Sequence, residues 1–222
     1  HVAESIEDVI DSREKYGIGI IKRLNNFGLL NKNSILAHCV HLDEEELSII
    51  VKHNCNIVIN PTSNMNNAVG LANYDSFRKF NIPCMIGNDG LGCNITRDFL
   101  NIVFGMKNRL NSPTKFDLND LTTLINNGYK YISDTLGIKL GKIEEGYKAD
   151  LITISYNPPT PMNENNVLGH VFFGIFDNFH PRDVFISGNC VMKDYKLNVD
   201  IGPIYEKAIL EAERLWERIN EN

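Results

Sequence analysis

The chain has 222 residues, 43% of them hydrophobic and 23% charged, with a formal net charge of −6 and a pI near 5.5. This is globular material for one domain or for one and a part. The acidic balance excludes a phosphate backbone or an anionic membrane as the main partner, because displacing counterions takes a basic face.

The chain opens on His1 rather than on Met, and its first residues read as the end of a strand, so an upstream region is expected. Residues 6 to 30 carry helical spacing, with Ile6, Val9 and Ile10 and then Ile20, Ile21, Leu24 and Phe27, interrupted at Gly17 and Gly19 and closed by Gly28. They predict one or two helices. The apolar run SILAHCVH (34 to 41) predicts a buried strand, and Asp43 with Glu46 three residues on forms a capping box for the helix EEELSIIVKHN. The alternation repeats. NIVIN (56 to 60) reads as a strand, YDSFRKF as a short helix, IPCMIGNDG as a strand, and TRDFLNIVFGMKNRL as a helix with Thr96 as its cap. Three strand and helix units in succession predict a parallel sheet with crossover helices.

A longer helix is predicted over 118 to 137, ending at Gly137 as a C-cap. Beyond it, 141 to 156, HVFFGIF (170 to 176) and 182 to 197 read as short β-runs of a small β unit, the last with Gly188 and Asn189 at a tight hairpin turn. Ile204, Ala208, Leu215 and Ile219 then predict an amphipathic C-terminal helix, a packing element rather than a membrane helix because Glu and Arg share its polar face. No stretch has the apolar length a bilayer needs, and no secretion signal opens the chain. The five cysteines, Cys39, Cys55, Cys84, Cys93 and Cys190, are scattered with no CxxC pair, which excludes a disulfide framework and a thiolate zinc knuckle and suits a reducing cytoplasm.

In a parallel α/β barrel, groups at the C-terminal ends of strands converge on one mouth. Four such ends carry polar residues here: His1 with Glu4, His38, the cluster Asn60 to Asn64, and Asp89. Each alone has a plainer explanation. His38 suits a core histidine, Asp89 in NDG a turn, Glu4 a first-turn acid favoured by the helix dipole, and the asparagines a loop. Together, on successive strands, they suit a divalent metal, which makes hydroxide available near neutral pH.

The ordered set HVAE, AHCVHLDEEEL, NPTSNMNNAVG and GNDG, with GKIEEGYKADLITI further on, resembles the aminohydrolase and chlorohydrolase branch of the amidohydrolase superfamily over essentially the whole chain. The resemblance implies an α/β fold: the second half of a TIM-like barrel (1–140), part of a small β-sandwich (141–200) and a C-terminal helix (201–222). It implies one divalent metal ion, zinc or else iron, held by His1 and Asp89. It also implies Glu4 as proton shuttle, His38 beside the activated water, Asp89 as proton acceptor, and Asn60, Ser63 and Asn64 facing substrate. The implied reaction is hydrolytic deamination or dechlorination of a small heterocyclic amine, with water as co-substrate and a homodimer as the assembly.

The same resemblance implies an HxH metal pair on the first barrel strand, and this sequence has none. The expectation is therefore a C-terminal portion without the first four barrel strands, inactive by itself. Ile59 stands where such enzymes often carry His, and Asn88 where they often carry Thr. Two alternatives are a non-catalytic scaffold that keeps the fold, and copper chelation by a true N-terminal His1. The deaminase class with a PCxxC zinc signature is excluded, because no CxxC occurs.

Overall fold

A computed structural model describes residues 1–221. It divides into two units: His1–Tyr147 with Tyr156–Phe179, and Lys148–Ser155 with the described residues from His180 onward.

The first unit is built on a parallel sheet of β1 (Ile35–Ala37), β2 (Asn56–Ile59) and β3 (Cys84–Ile86), in that spatial order. Val2 extends it by a parallel bridge to His38 beside β1, with the Val2 amide on the Ala37 carbonyl at 3.1 Å. The central strand reads as a nearly unbroken apolar run because both of its faces are covered, as parallel sheets require; Ile57 and Ile59 are fully buried. The crossover helices are α1 (Ile6–Tyr16), α2 (Ile20–Asn26), α3 (Glu44–Lys52), α4 (Pro61–Asn66) and α5 (Tyr74–Lys79), and α6 (Ile95–Arg109) and α7 (Leu118–Leu136) follow the last strand. They pack Ile21, Ile50, Phe77, Ile102, Val103 and Leu124 into one core with the sheet.

The capping box expected at α3 is present. The Glu46 amide donates to Asp43 at 2.9 Å, and the Glu46 carboxylate accepts from the Asp43 amide at 3.3 Å and from the Ile21 amide at 3.1 Å. Burial pushes the Glu46 carboxyl above its ordinary range, against the pull of those two amides. One side chain thus caps its own helix and ties α2 to it. Helix α7 starts on an Asp117 cap and ends at Gly137 in the left-handed region (φ 66), as expected.

Three local expectations are corrected. Helix α6 is capped by Asn94, not Thr96; the Asn94 side chain accepts from the Thr96 amide at 3.2 Å, and the Thr96 hydroxyl donates to the same oxygen at 2.8 Å. The segment PTSNMN, read as a loop, is helix α4, started by Pro61, whose fixed φ and missing N–H suit a first helical position. HVFFGIF is not a strand but a π-helical stretch, His170–Phe176, in the first unit. A short apolar run does not distinguish strand from helix by periodicity. Here aromatic packing decides: Phe172 meets Phe104 of α6 edge-on at 5.5 Å, and Phe176 meets Phe99 at 5.3 Å.

The second unit is an antiparallel sheet in the order β4 (Leu151–Thr153), β5 (Asp183–Ile186), β6 (Asn189–Lys193), β7 (Lys196–Leu197). Of the 141–156 run only β4 is strand. The β5–β6 hairpin turns at Ser187 and Gly188 (φ 49 and 81), one residue earlier than expected, and β6–β7 turns at Asp194 and Tyr195 (φ 47 and 65). Two consecutive positive φ values match the right-handed twist of the strands. Helix α8 (Gly202–Asn220) follows. None of its residues is buried, so its apolar stripe packs no core in this structure, although the sequence predicted a packing role. Among the described residues no helix is long and apolar enough to cross a membrane.

Asp183 anchors this sheet. It accepts from the Thr153 hydroxyl opposite it on β4, from the Asp194 amide at 2.9 Å and from Arg182 Nε at 2.9 Å. These donors, the Thr153 hydroxyl foremost, hold its carboxyl down at about 2. Because the folded value lies below the ordinary ~3.9, this stabilisation is present above that pH and is lost as pH falls toward about 2. Asp183→Asn should therefore melt below wild type at pH 7, with the gap narrowing between pH ~4 and ~2 in thermal unfolding followed by circular dichroism.

Candidate active site

The polar residues at the strand ends of the first unit do converge. His38 follows β1 directly, Asn60 follows β2, and Asp89 lies three residues past β3, while Glu4 lies two residues past the Val2 bridge. Ala3, His38, Cys39 and Asp89 all have positive φ, at 46, 72, 53 and 52°. Such conformations cost a non-glycine residue roughly 1–3 kcal/mol and persist where surrounding contacts enforce them. For Ala3, His38 and Cys39 the cross-strand bonds do so: His38 N–H donates to Val58 O at 2.9 Å, Cys39 N–H to Val2 O at 2.9 Å and Val40 N–H to Ala3 O at 3.0 Å.

The imidazole of His38 is the centre of the cluster and is fully buried. Its Nδ1 is 2.9 Å from Asn64 Nδ2. Its Nε2 faces Glu4 Oε2 at 3.7 Å and Asp89 Oδ2 at 3.8 Å, and the His1 ring packs edge-on against it with centroids 5.2 Å apart. The two carboxylate distances exceed hydrogen-bond length, and Nε2 is a buried polar atom with no partner of its own. Each carboxylate has a separate donor. Ser63 Oγ donates to Asp89 Oδ2 at 2.7 Å, and Asn67 Nδ2 donates to Glu4 Oε1 at 3.0 Å. The Ser63 hydroxyl, helped by the Gly90 amide, holds the Asp89 carboxyl below its ordinary range against the opposing effect of burial. Asp89 is thus an anion at neutral pH.

His1, Glu4 and Asp89 therefore gather about His38, with Ser63 on Asp89 and Asn64 on His38. Asn60 is 5% exposed and turns its side chain toward Gly87. Asn67, read from the sequence as a plain loop residue, proves to be the partner of Glu4. Pro61 as a helix starter was the signal that would have placed residues 63, 64 and 67 on one helical face.

Imidazoles and carboxylates are the donor set of a divalent transition metal. The His1 imidazole and the Asp89 carboxylate, both beside His38, fit such a site in kind. Among the described residues no three His, Cys, Asp or Glu side chains are grouped as a ligand set, so the fit is partial in number, since a catalytic zinc takes about three protein ligands. Two cysteines in or beside these strands, Cys39 and Cys84, are buried, and desolvation pushes both thiols far above their ordinary range, so neither is a nucleophile.

Residues 1–191 match the sequence model of the amidohydrolase family. The chain belongs to that family. Amidohydrolase relatives include a 5'-deoxyadenosine deaminase of Methanocaldococcus jannaschii, 33% identical over 214 residues that cover 94% of this chain and 50% of the relative. Another is a 5-methylthioadenosine/S-adenosylhomocysteine deaminase of Thermococcus onnurineus, 28% identical over 89% of this chain and 46% of the relative. The chain thus spans about half the length of the curated relatives it matches. Among solved structures, an adenosine deaminase from Xanthomonas campestris with bound zinc superposes with a TM-score of 0.83 at 23% identity, covering 98% of this chain and 50% of that one. At that identity the likeness establishes a shared fold.

Gly87 is the packing constraint next to this mouth. A Cβ there would collide with Asn60 Oδ1 and lie 2.7 Å from Val58 Cγ1. Gly87→Ala should lower stability by about 1–3 kcal/mol, the usual range for overpacking. Urea unfolding of wild type and variant checks the value, and an unchanged midpoint would mean that Asn60 does not hold this position.

Proposed function

We propose that this chain carries the proton-handling half of a metal-dependent aminohydrolase that deaminates a heterocyclic amine. The observation that carries the reading is the convergence of Glu4 and Asp89 on the one unpartnered nitrogen of buried His38, beside His1. In this reading the parallel unit is the second half of a TIM-like barrel, and the antiparallel sheet is part of a β-sandwich. The deaminase names of the amidohydrolase relatives support it and make 5'-deoxyadenosine the first compound to assay. The run YNPPTPMN (156 to 163) further resembles the aminohydrolase SsnA.

His1 and Asp89 would hold the metal, zinc in preference to iron; when bound, it supplies Lewis acidity and brings the pKa of a water to about 7. The protein's own groups then move the protons. Asp89, kept ionised by Ser63, accepts a proton of the attacking water. Glu4 passes the other proton of that water to the ring nitrogen beside the reacting carbon and then relays the proton held by Asp89 to the departing amine, so that C–NH2 and water become C=O and ammonia. His38, buried and oriented by Asn64, hydrogen-bonds to the oxygen on which charge develops. The weak shielding of Glu4 and Asp89, with side chains 24% and 29% exposed, leaves both able to reach a substrate at the mouth.

Ammonia release measured on the full-length protein tests the reading. Glu4→Gln should lower kcat by about 10²–10⁴-fold, the usual worth of a positioned acid or base. Asp89→Ala should lose turnover and metal content together. Wild-type rates in either variant would refute the assignment. Stoichiometric binding of an adenine nucleoside without turnover by wild type would favour a scaffold instead.

A further inference from the structure

Helix α4 presents an arrangement that the reaction alone does not require. Ser63, Asn64 and Asn67, at the spacing i, i+1, i+4, lie on one side of a single helical turn and its C-terminal cap. Each bonds a different member of the cluster: Ser63 to Asp89, Asn64 to His38 and Asn67 to Glu4. Ser63 is 3% exposed and Asn64 not at all, and the Ser63 hydroxyl is engaged by Asp89 and the Asn64 Nδ2 by His38. The helix is itself fixed from behind. The Thr62 amide donates to Asp98 Oδ1 at 3.2 Å, and Thr62 Oγ1 accepts from Asn101 Nδ2 at 2.9 Å, with both partners on α6 and Asp98 fully buried.

We propose that α4 is a positioning clamp, in which Ser63, Asn64 and Asn67 each hold one reacting side chain and Asn64 fixes His38 as the tautomer protonated on Nε2. This deepens, and rests on, the aminohydrolase reading of the same site. The tautomer follows from electrostatics. An amide can present either its NH2 or its oxygen to Nδ1. If the oxygen faced Nδ1, the neutral ring would carry its proton there and turn the lone pair of Nε2 toward two carboxylate oxygens. With the NH2 donating to Nδ1, the ring proton sits on Nε2 and points between Glu4 and Asp89, the attractive arrangement. Nε2 is then a hydrogen-bond donor at the mouth, and a donor is what the developing oxyanion needs. Asn64 is accordingly a positioning residue, acting through His38.

The tautomer is read without turnover, by nitrogen-15 NMR of histidine-labelled full-length protein at neutral pH. His38 should show a protonated Nε2 and an unprotonated Nδ1 in wild type. Asn64→Asp, whose carboxylate only accepts, should move the proton to Nδ1 and lower kcat by about 10–100-fold at unchanged KM, the range for partners that orient catalytic groups. Ser63→Ala should reduce kcat within the same range, and Ser63→Thr, which keeps the hydroxyl, should restore it. A wild-type His38 protonated on Nδ1 overturns the proposal whether or not any variant folds, as does Asn64→Asp that folds and leaves the tautomer unchanged. An Nε2-protonated ring that switches in Asn64→Asp, in a protein that releases no ammonia, would sink the aminohydrolase reading and leave the assignment of Asn64 standing.

Discussion

The site depends on one buried ring. A fully enclosed imidazole with a satisfied Nδ1 and an unsatisfied Nε2 is costly to bury, because an unpaired polar atom away from water forfeits its hydration. The surroundings set its orientation by charge. Two carboxylates stand just beyond hydrogen-bonding distance on one side and an amide stands at 2.9 Å on the other. Glu4, Asn64 and Asp89 are arranged about that ring, and each carboxylate has its own donor to keep it from swinging away.

This arrangement is inexpensive for the fold because parallel strands end together. Val2, β1, β2 and β3 run in register, so the residues that follow each strand emerge on one edge whatever their distance in sequence. The cost appears in the backbone instead. Ala3, His38, Cys39 and Asp89 take left-handed conformations that β-carbons disfavour, the first three held by cross-strand amides. Strain is concentrated where side chains have to be aimed, and the strands beneath remain ordinary.

Most of this was legible because alternation and capping leave marks. The strand ends at His38 and Asp89, the Asp43 and Glu46 box and the Gly137 stop all follow from residue type and spacing. What was illegible falls into two kinds. PTSNMN looked like a loop because asparagine and serine favour turns, yet Asp98 and Asn101 on α6 supply partners that make a helix there, a tertiary effect that no local pattern carries. HVFFGIF had strand composition, but Phe172 and Phe176 found aromatic partners on α6, and side-chain packing overrode β-propensity. The pairing of Asn67 with Glu4, 63 residues apart, was beyond any reading of spacing.

The antiparallel sheet takes its first strand from Lys148–Ser155 and the rest from His180 onward, while the stretch between them belongs to the other unit. The two units are interleaved along the polypeptide, so no single contiguous piece of sequence encodes the sheet. Pairing β4 with β5 means closing a loop of tens of residues, an entropic cost that grows only slowly with loop length. Evolution or engineering that exchanges this sheet between proteins would have to carry Tyr156–Phe179 along with it, and would transplant part of the aromatic packing of α6 in the process.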